Sequence, residues 1–261
     1  MRSIVVSVLV FLVIVGLDGC FTAPTYPTSP RIQLLEDQDN FYFSKGQAAG
    51  GLDELVVSLN FQDGDGDLGL ATNETDPKYK DQYFFFISSS GQITSVENAN
   101  QSNVNYKFKR QNPRYNLPAY SCDSWEIVEL QNNSNVTFTD TIYTELNPNR
   151  FNILIDYYIK NSTNPSDTSY TKFDIFKRYQ ELSLGCPDGT LGGGRFPILA
   201  SDPGKVAPLD GKLVYRIRSF GLDIIFNSNT TMKIRIRIQD RAFNLSNQVE
   251  SRPFTLISIR R

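Results

Sequence analysis

Residues 232–239 read Met232-Lys233-Ile234-Arg235-Ile236-Arg237-Ile238-Gln239, an uninterrupted alternation of apolar and polar side chains. A period of two is typical of an antiparallel β-strand with one face on a core and the other in solvent. Leu213, Tyr215 and Ile217 repeat the pattern, with basic residues on the opposite face. We therefore expect the chain to fold mainly as strands.

Further short strand candidates occur along the chain, and turn clusters rich in Asn, Gly, Ser and Pro separate them. Many short strands joined by such turns favour an all-β sandwich or barrel. The other candidates are residues 32–35, 40–44, 55–61, 83–88, 106–110, 136–143, 151–159 and 249–257.

Two segments do not show this pattern. Residues 172–182 fit either a strand or a short helix, and residues 191–199 contain a run of glycines that favours a long surface loop. We interpret residues 92–114 and 161–211 as elaborations of one sandwich domain, residues 31–261, with two subdomains as the alternative.

The N-terminal residues 1–19 have the pattern of an export signal. A basic Arg2 precedes an apolar run over residues 4–15, which is too short to span a membrane. Leu17-Asp18-Gly19-Cys20 resembles the lipobox of bacterial lipoproteins, with an atypical Asp at position −2, two residues before the cleavage site. The resemblance implies that Cys20 is lipidated and becomes the mature N-terminus; the alternative is an ordinary cysteine near a cleaved signal. The Pro- and Thr-rich residues 20–30 are expected to form a stiff tether.

The chain has three cysteines. If Cys20 carries lipid, Cys122 and Cys186 remain, and disulfides persist in the compartments to which exported proteins go. We predict a Cys122–Cys186 bridge, with two separate buried thiols as the alternative. No cysteine pair has the spacing of a zinc site.

Histidine is absent from the chain. Its absence excludes Ser-His-Asp and Cys-His catalysis as well as metal centres with histidine ligands. Glycoside hydrolysis by two carboxylates is the main enzymatic chemistry that remains. The net charge of −2 gives no argument for nucleic-acid binding. Basic residues concentrate after residue 205, where they either neutralise acidic neighbours or form a basic binding face.

Phe61-Gln62-Asp63-Gly64-Asp65-Gly66-Asp67-Leu68-Gly69 follows a predicted strand. Its three aspartates are spaced two apart, and the glycines allow the chain to curl them around one hard cation such as Ca²⁺. Glu74 is placed as in an EF-hand, with Asp240 or Asn244 as further possible ligands. Leu68 replaces the glycine that an EF-hand requires, and no helices flank the loop, so we reject a true EF-hand. The alternative is a plain hairpin turn.

Residues 240–247 read Asp240-Arg241-Ala242-Phe243-Asn244-Leu245-Ser246-Asn247. This segment resembles the Asp-x-Ala-x-Asn-x-Ser hairpin of bacterial immunoglobulin-like and fibronectin-like domains. With the lipobox and the 61–69 motif, it makes the chain similar to a group of Bacteroidota outer-membrane lipoproteins of unassigned function. The resemblance implies an immunoglobulin-like antiparallel β-sandwich with long insertions.

We therefore expect a non-enzymatic binding or scaffolding module, anchored by lipid in the outer membrane. The expected partner is another envelope protein or an outer-membrane complex. No acidic residues follow Cys20 directly, which favours the periplasmic face over the cell surface. A glycan-binding lipoprotein is the alternative, since aromatic segments such as residues 83–86 offer stacking surfaces; a hydrolase that uses only carboxylates ranks third.

Overall fold

The computed structural model describes residues 24–47, 51–71, 74, 76–87, 93–96, 124–131, 137–164, 166–187, 190–200 and 204–261. Strands dominate these residues and every ladder between them is antiparallel, which confirms the predicted all-β class. The strands are β1 (Arg31–Leu35), β2 (Phe41–Ser44), β3 (Asp53–Asp63), β4 (Gln82–Ile87), β5 (Ile93–Val96), β6 (Trp125–Gln131), β7 (Thr137–Leu146), β8 (Ile153–Lys160), β9 (Tyr170–Lys172), β10 (Gly193–Gly194), β11 (Leu209–Ser219), β12 (Met232–Ile238) and β13 (Val249–Glu250).

Helical structure is short and sits in the connections. Two α-helices are described, α1 (Ile175–Glu181) and α2 (Leu222–Phe226), with single 3-10 turns at Pro77–Tyr79 and Thr190–Gly192. In the described part of the chain, no helix has the length and hydropathy of a membrane span.

The first sheet is built on the long strand β3. Its whole length pairs with β11, from Asp53 opposite Ser219 to Asp63 opposite Leu209. Strands β1 and β2 pair with successive halves of β3 and therefore share its other edge. As a result, one end of this sheet holds Asp63 and the start of β1.

The second sheet has the order β10-β8-β12-β13, and β9 extends it along β8. Strand β12 confirms the prediction for residues 232–239 to within one residue. Ile234, Ile236 and Ile238 are at most 1% exposed, whereas the basic residues between them are partly exposed. The inner faces of the first two sheets contribute to one hydrophobic core, in which the Tyr157 and Phe226 rings lie 4.6 Å apart.

The third sheet, in the order β5-β4-β7-β6, is formed by the segment between β3 and β8. Residues 83–88 and 136–143 were predicted as strands and correspond to β4 and β7. The prediction for residues 106–110 lies outside the described residues.

The structure decides between the two predictions for residues 172–182. They contain helix α1, whose N-terminus is capped by the Asp174 carboxylate accepting from the Lys177 N–H at 2.9 Å. The strand predicted at 249–257 ends after Glu250. A separate bridge pairs Phe254 with Met232, because Pro253 has no N–H to continue the ladder.

The segment predicted as a surface loop, residues 191–199, is largely interior. Leu191 and Phe196 are at most 2% exposed, and Gly193–Gly194 pairs with β8. A Cβ atom at Gly193 would lie 2.3 Å from the Ile153 carbonyl oxygen, and one at Gly194 would displace the Tyr215 hydroxyl. Gly193 and Gly194 therefore serve close packing rather than surface flexibility.

Candidate metal centre

Four aspartates meet at the end of the two packed sheets where β3 and β12 finish. Asp63, Asp65, Asp67 and Asp240, here called the aspartate cluster, each offer one carboxylate oxygen, and these atoms all lie within 4.8 Å of one another. The structure thus brings together the three aspartates predicted from the 61–69 motif. It adds Asp240, one of the further ligands considered for the site.

Glycines allow the 63–69 loop to curl. Gly66 has a φ of +74°, and a Cβ there would lie 2.1 Å from the Ala207 carbonyl oxygen. The loop is closed by the Asp67 N–H, which donates to Asp63 Oδ2 at 3.1 Å, and is anchored in the core by the fully buried Leu68. The alternation of Asp and Gly therefore places three carboxylates on the inside of one turn.

Asp240 comes from the turn after β12. Its two carboxylate oxygens accept hydrogen bonds from the Asn244 backbone N–H at 2.7 Å and the Asn244 side-chain amide at 2.8 Å. The Arg241 N–H donates to the Asp67 carbonyl oxygen at 3.3 Å and so joins this turn to the 63–69 loop. Asn244 was predicted as a possible ligand of the cation. In the structure its side-chain amide donates to Asp240 and so orients the Asp240 carboxylate.

Burial and mutual repulsion make the cluster unfavourable for negative charge. Burial, followed by the charges of Asp65, Asp67 and Asp240, raises the pKa of Asp63 to about 7. Burial and the charge of Asp240 likewise raise the pKa of Asp67 to about 6. Burial also raises the pKa of Asp240, against the hydrogen bonds from Asn244. A bound cation would remove this repulsion.

Three oxygens of the cluster have no partner among the described residues. The Oδ1 atoms of Asp63, Asp65 and Asp67 are buried and accept no hydrogen bond within that part of the chain. Asp63 as a whole is completely buried, so its unsatisfied oxygen is costly unless something else contacts it. A cation held by these oxygens accounts for all three at once.

Glu74 does not join the cluster. Its carboxylate forms a 2.7 Å ion pair with Arg241, whose guanidinium lies 5.0 Å from the centre of the Tyr79 ring. The Tyr79 hydroxyl in turn donates to the Arg241 carbonyl oxygen. Glu74 thus acts on the site indirectly, because it holds the turn that carries Asp240.

A cavity of about 560 Å³ lies directly beside the cluster. Asp65 and Asp67 line one side of it, and Arg241 and Ala242 from the Asp240 turn line another. Its remaining walls come from the connection before β11: Ile198, Ala200, Gly204, Lys205 and Val206.

The remaining predicted site residues are the cysteines. Cys186, in the segment after α1, is disulfide-bonded, whereas Cys20 and Cys122 lie outside the described residues. The lipid anchor and the pairing of Cys186 with Cys122 therefore stay predictions. Comparison with protein-family models, characterised proteins and solved structures finds no match for this chain.

Proposed function

We propose that this chain is a non-enzymatic binding module of the bacterial envelope. In this proposal, it is an immunoglobulin-like sandwich anchored in the outer membrane through Cys20. A structural Ca²⁺ in the aspartate cluster holds the loops at one end, and the partner is another envelope protein. The cluster, with its three unsatisfied buried oxygens, is the observation that carries the proposal.

Strand order supports an immunoglobulin-like assignment. Six strands make up the two packed sheets once β2, the short strands β9 and β10 and the inserted third sheet are set aside. The first, second and fourth of them in chain order form β1-β3-β11, and the third, fifth and sixth form β8-β12-β13. An immunoglobulin-type sandwich divides its A, B and E strands from its C, F and G strands in the same way.

The ligand set favours Ca²⁺ over Mg²⁺. Ca²⁺ takes six to eight oxygens in flexible geometry, whereas Mg²⁺ keeps several waters and is usually bound by only one or two carboxylates. Four converging carboxylates leave room for two or more further oxygens from water or a ligand. The role of the ion would be to fix the 63–69 loop against the Asp240 turn.

The same geometry argues against hydrolysis by the carboxylates of this cluster. Glycosidases hold their two carboxyl groups about 5–5.5 Å or 6.5–9.5 Å apart, with the substrate between them. The cluster oxygens are all within 4.8 Å of one another, which suits a shared ion better than a sugar bond.

Thermal unfolding of the purified protein in EDTA, in Ca²⁺ and in Mg²⁺ tests the proposal. We expect Ca²⁺ to raise the free energy of unfolding by about 2.7 kcal/mol at a hundredfold excess over its dissociation constant. Asp65→Asn should lose most of this gain. Asp39→Asn makes the same chemical change at an exposed surface ion pair with Arg261 and should keep it. Identical melting curves in all solutions, with no metal by elemental analysis, would refute the proposal.

A further inference from the structure

The cavity beside the aspartate cluster has walls of mixed character. Its apolar part includes Ile198, Ala200, Val206 and Ala242, and Val206 is 78% exposed, so its side chain offers an apolar contact at the cavity. Asp65 and Asp67 belong both to this cavity and to the cluster. A volume of about 560 Å³ falls within the range of small-molecule sites.

The cluster is closed on one side and open on the other. Asp63 and Asp240 are at most 3% exposed, whereas Asp65 and Asp67 are partly exposed and line the cavity. An ion held by all four carboxylates would therefore be shielded by Asp63 and Asp240. Its remaining coordination positions, which Ca²⁺ fills with oxygen, would face the cavity.

Charge selects the kind of oxygen ligand that fits. Four ionised aspartates and one Ca²⁺ leave a net negative charge, which disfavours a carboxylate or phosphate ligand. Lys205 lines the cavity and disfavours a cationic ligand, whereas the charge of Arg241 is paired with that of Glu74. A neutral molecule that supplies oxygens to the ion and donates O–H groups to the carboxylates satisfies both conditions.

We propose that this cavity binds a neutral sugar through two adjacent hydroxyl groups that complete the coordination of the Ca²⁺. The hydroxyl oxygens contact the ion, their protons are donated to Asp65 and Asp67, and the C–H face of the ring packs on Val206 and Ala242. This inference rests on the proposed Ca²⁺ site and adds a small-molecule ligand to the envelope-protein partner already proposed.

The test is a printed array of neutral, acidic and amino sugars, probed with the purified protein in Ca²⁺ and in EDTA. Ala242→Leu adds bulk to an exposed wall of the cavity without removing a carboxylate. Gln47→Leu is the control, because it introduces the same leucine at an exposed position beyond β2, at the other end of the sandwich. Stabilisation by Ca²⁺ is measured on each protein in parallel.

We expect neutral sugars to bind in Ca²⁺ only, with at least a tenfold loss of affinity in Ala242→Leu and none in Gln47→Leu. Both variants should keep the stabilisation by Ca²⁺. If Ca²⁺ stabilises the protein but no neutral sugar binds, or binding survives EDTA or Ala242→Leu, the sugar site is wrong and the metal site stands. If Ca²⁺ has no effect on unfolding, the metal site fails and the sugar site with it.

Discussion

Among the described aspartates, Asp63 has the largest shift in pKa. An aspartate in an unfolded chain titrates near pH 3.9, whereas burial and neighbouring carboxylates raise the pKa of Asp63 to about 7 in the folded protein. Between these values the metal-free folded state binds more protons than the unfolded state. The contribution of Asp63 to stability therefore falls as the pH rises from about 4 to 7.

This difference predicts opposite pH trends without and with calcium. In EDTA, we expect the cluster to destabilise the protein progressively from about pH 4 to pH 7. In Ca²⁺, the gain in melting temperature should grow over the same range, because the ion competes with protons for Asp63 and Asp67. Melting curves at several pH values measure both trends. A calcium gain that shrinks as the pH rises would contradict the assignment.

At the residue scale, the sequence predicted part of the site. The spacing of Asp63, Asp65 and Asp67 was sufficient to predict that their carboxylates converge, because all three belong to one loop. The choice between Glu74 and Asp240 depended on which distant segment reaches the loop. Glu74 has the right separation along the chain, but Arg241 binds its carboxylate.

At the scale of elements, the 63–69 loop depends on the left-handed conformation of Gly66. We predict that Gly66→Ala lowers the free energy of unfolding by at least about 1–2 kcal/mol, the usual cost of a left-handed residue with a Cβ. The close Ala207 carbonyl adds to this cost, and calcium affinity should fall because the loop shifts. Chemical denaturation and calcium titration measure the two effects.

Gly192→Ala is the control for this prediction. A Cβ at Gly192 would meet no atom within 4 Å, and its φ is not in the left-handed region. Stability should change by no more than about 0.5 kcal/mol, as at ordinary surface positions. Equal stabilities for the two alanine variants would show that the loop relaxes without cost.

The basic residues of β12 show why charge along the sequence is a poor guide to a binding face. Lys233 and Arg235 both form ion pairs with Glu250 on the neighbouring strand β13, at 2.7 and 2.6 Å. Arg216 and Arg218 of β11 share Glu54 of β3 in the same way. Cross-strand pairing thus neutralises part of the C-terminal excess of positive charge, as one of the two interpretations predicted.

Strands with a strict period of two were predictable, whereas elements fixed by tertiary contacts were not. β12 follows from its own alternation. Strand β10 contains only Gly193 and Gly194, which pair with β8 and lie close to the Ile153 carbonyl oxygen and the Tyr215 hydroxyl. The sequence of residues 191–199 shows these glycines but not which distant residues pack against them.

On the scale of the whole molecule, the sequence indicated a sandwich but not the order of its strands. The two sheets that share the hydrophobic core combine strands that are distant along the chain, such as β3 with β11 and β8 with β12. Pairings of this kind depend on the complete set of inward-facing residues rather than on any local pattern. The Asp240 turn reaches the 63–69 loop only because this strand order brings them to the same end.

A disulfide between Cys122 and Cys186 would link two distant segments of the chain. We expect Cys122 and Cys186 to form a disulfide in the exported protein, which would stabilise the fold by about 3–4 kcal/mol on the loop-entropy model. Peptide mapping without reduction identifies the bridge. Two thiols that react with an alkylating reagent in the native protein would show that it is absent.

The last prediction concerns the lipid anchor at Cys20. Residues 20–30 are predicted to form a tether, but within their described part Pro30 is buried, and the Pro27 carbonyl oxygen accepts from the Gly64 N–H at 2.8 Å. The described end of this segment therefore lies against the 63–69 loop. If Cys20 carries lipid, the end of the sandwich that holds the aspartate cluster lies nearest the anchor.

Cys20→Ala should release the protein from the membrane fraction, because acyl chains contribute about 0.8 kcal/mol per buried methylene to membrane binding. A palmitate analogue should label the wild type and not the variant, while Cys122→Ala should stay labelled and membrane-bound. The released Cys20→Ala protein should keep the wild-type gain in melting temperature with Ca²⁺, because the hydrogen bond from the Gly64 N–H to the Pro27 carbonyl oxygen does not involve Cys20. Wild-type protein that takes up no label would refute the anchor. A released protein that no longer responds to Ca²⁺ would show that the metal site depends on membrane attachment, contrary to a site built from Asp63, Asp65, Asp67 and Asp240 alone.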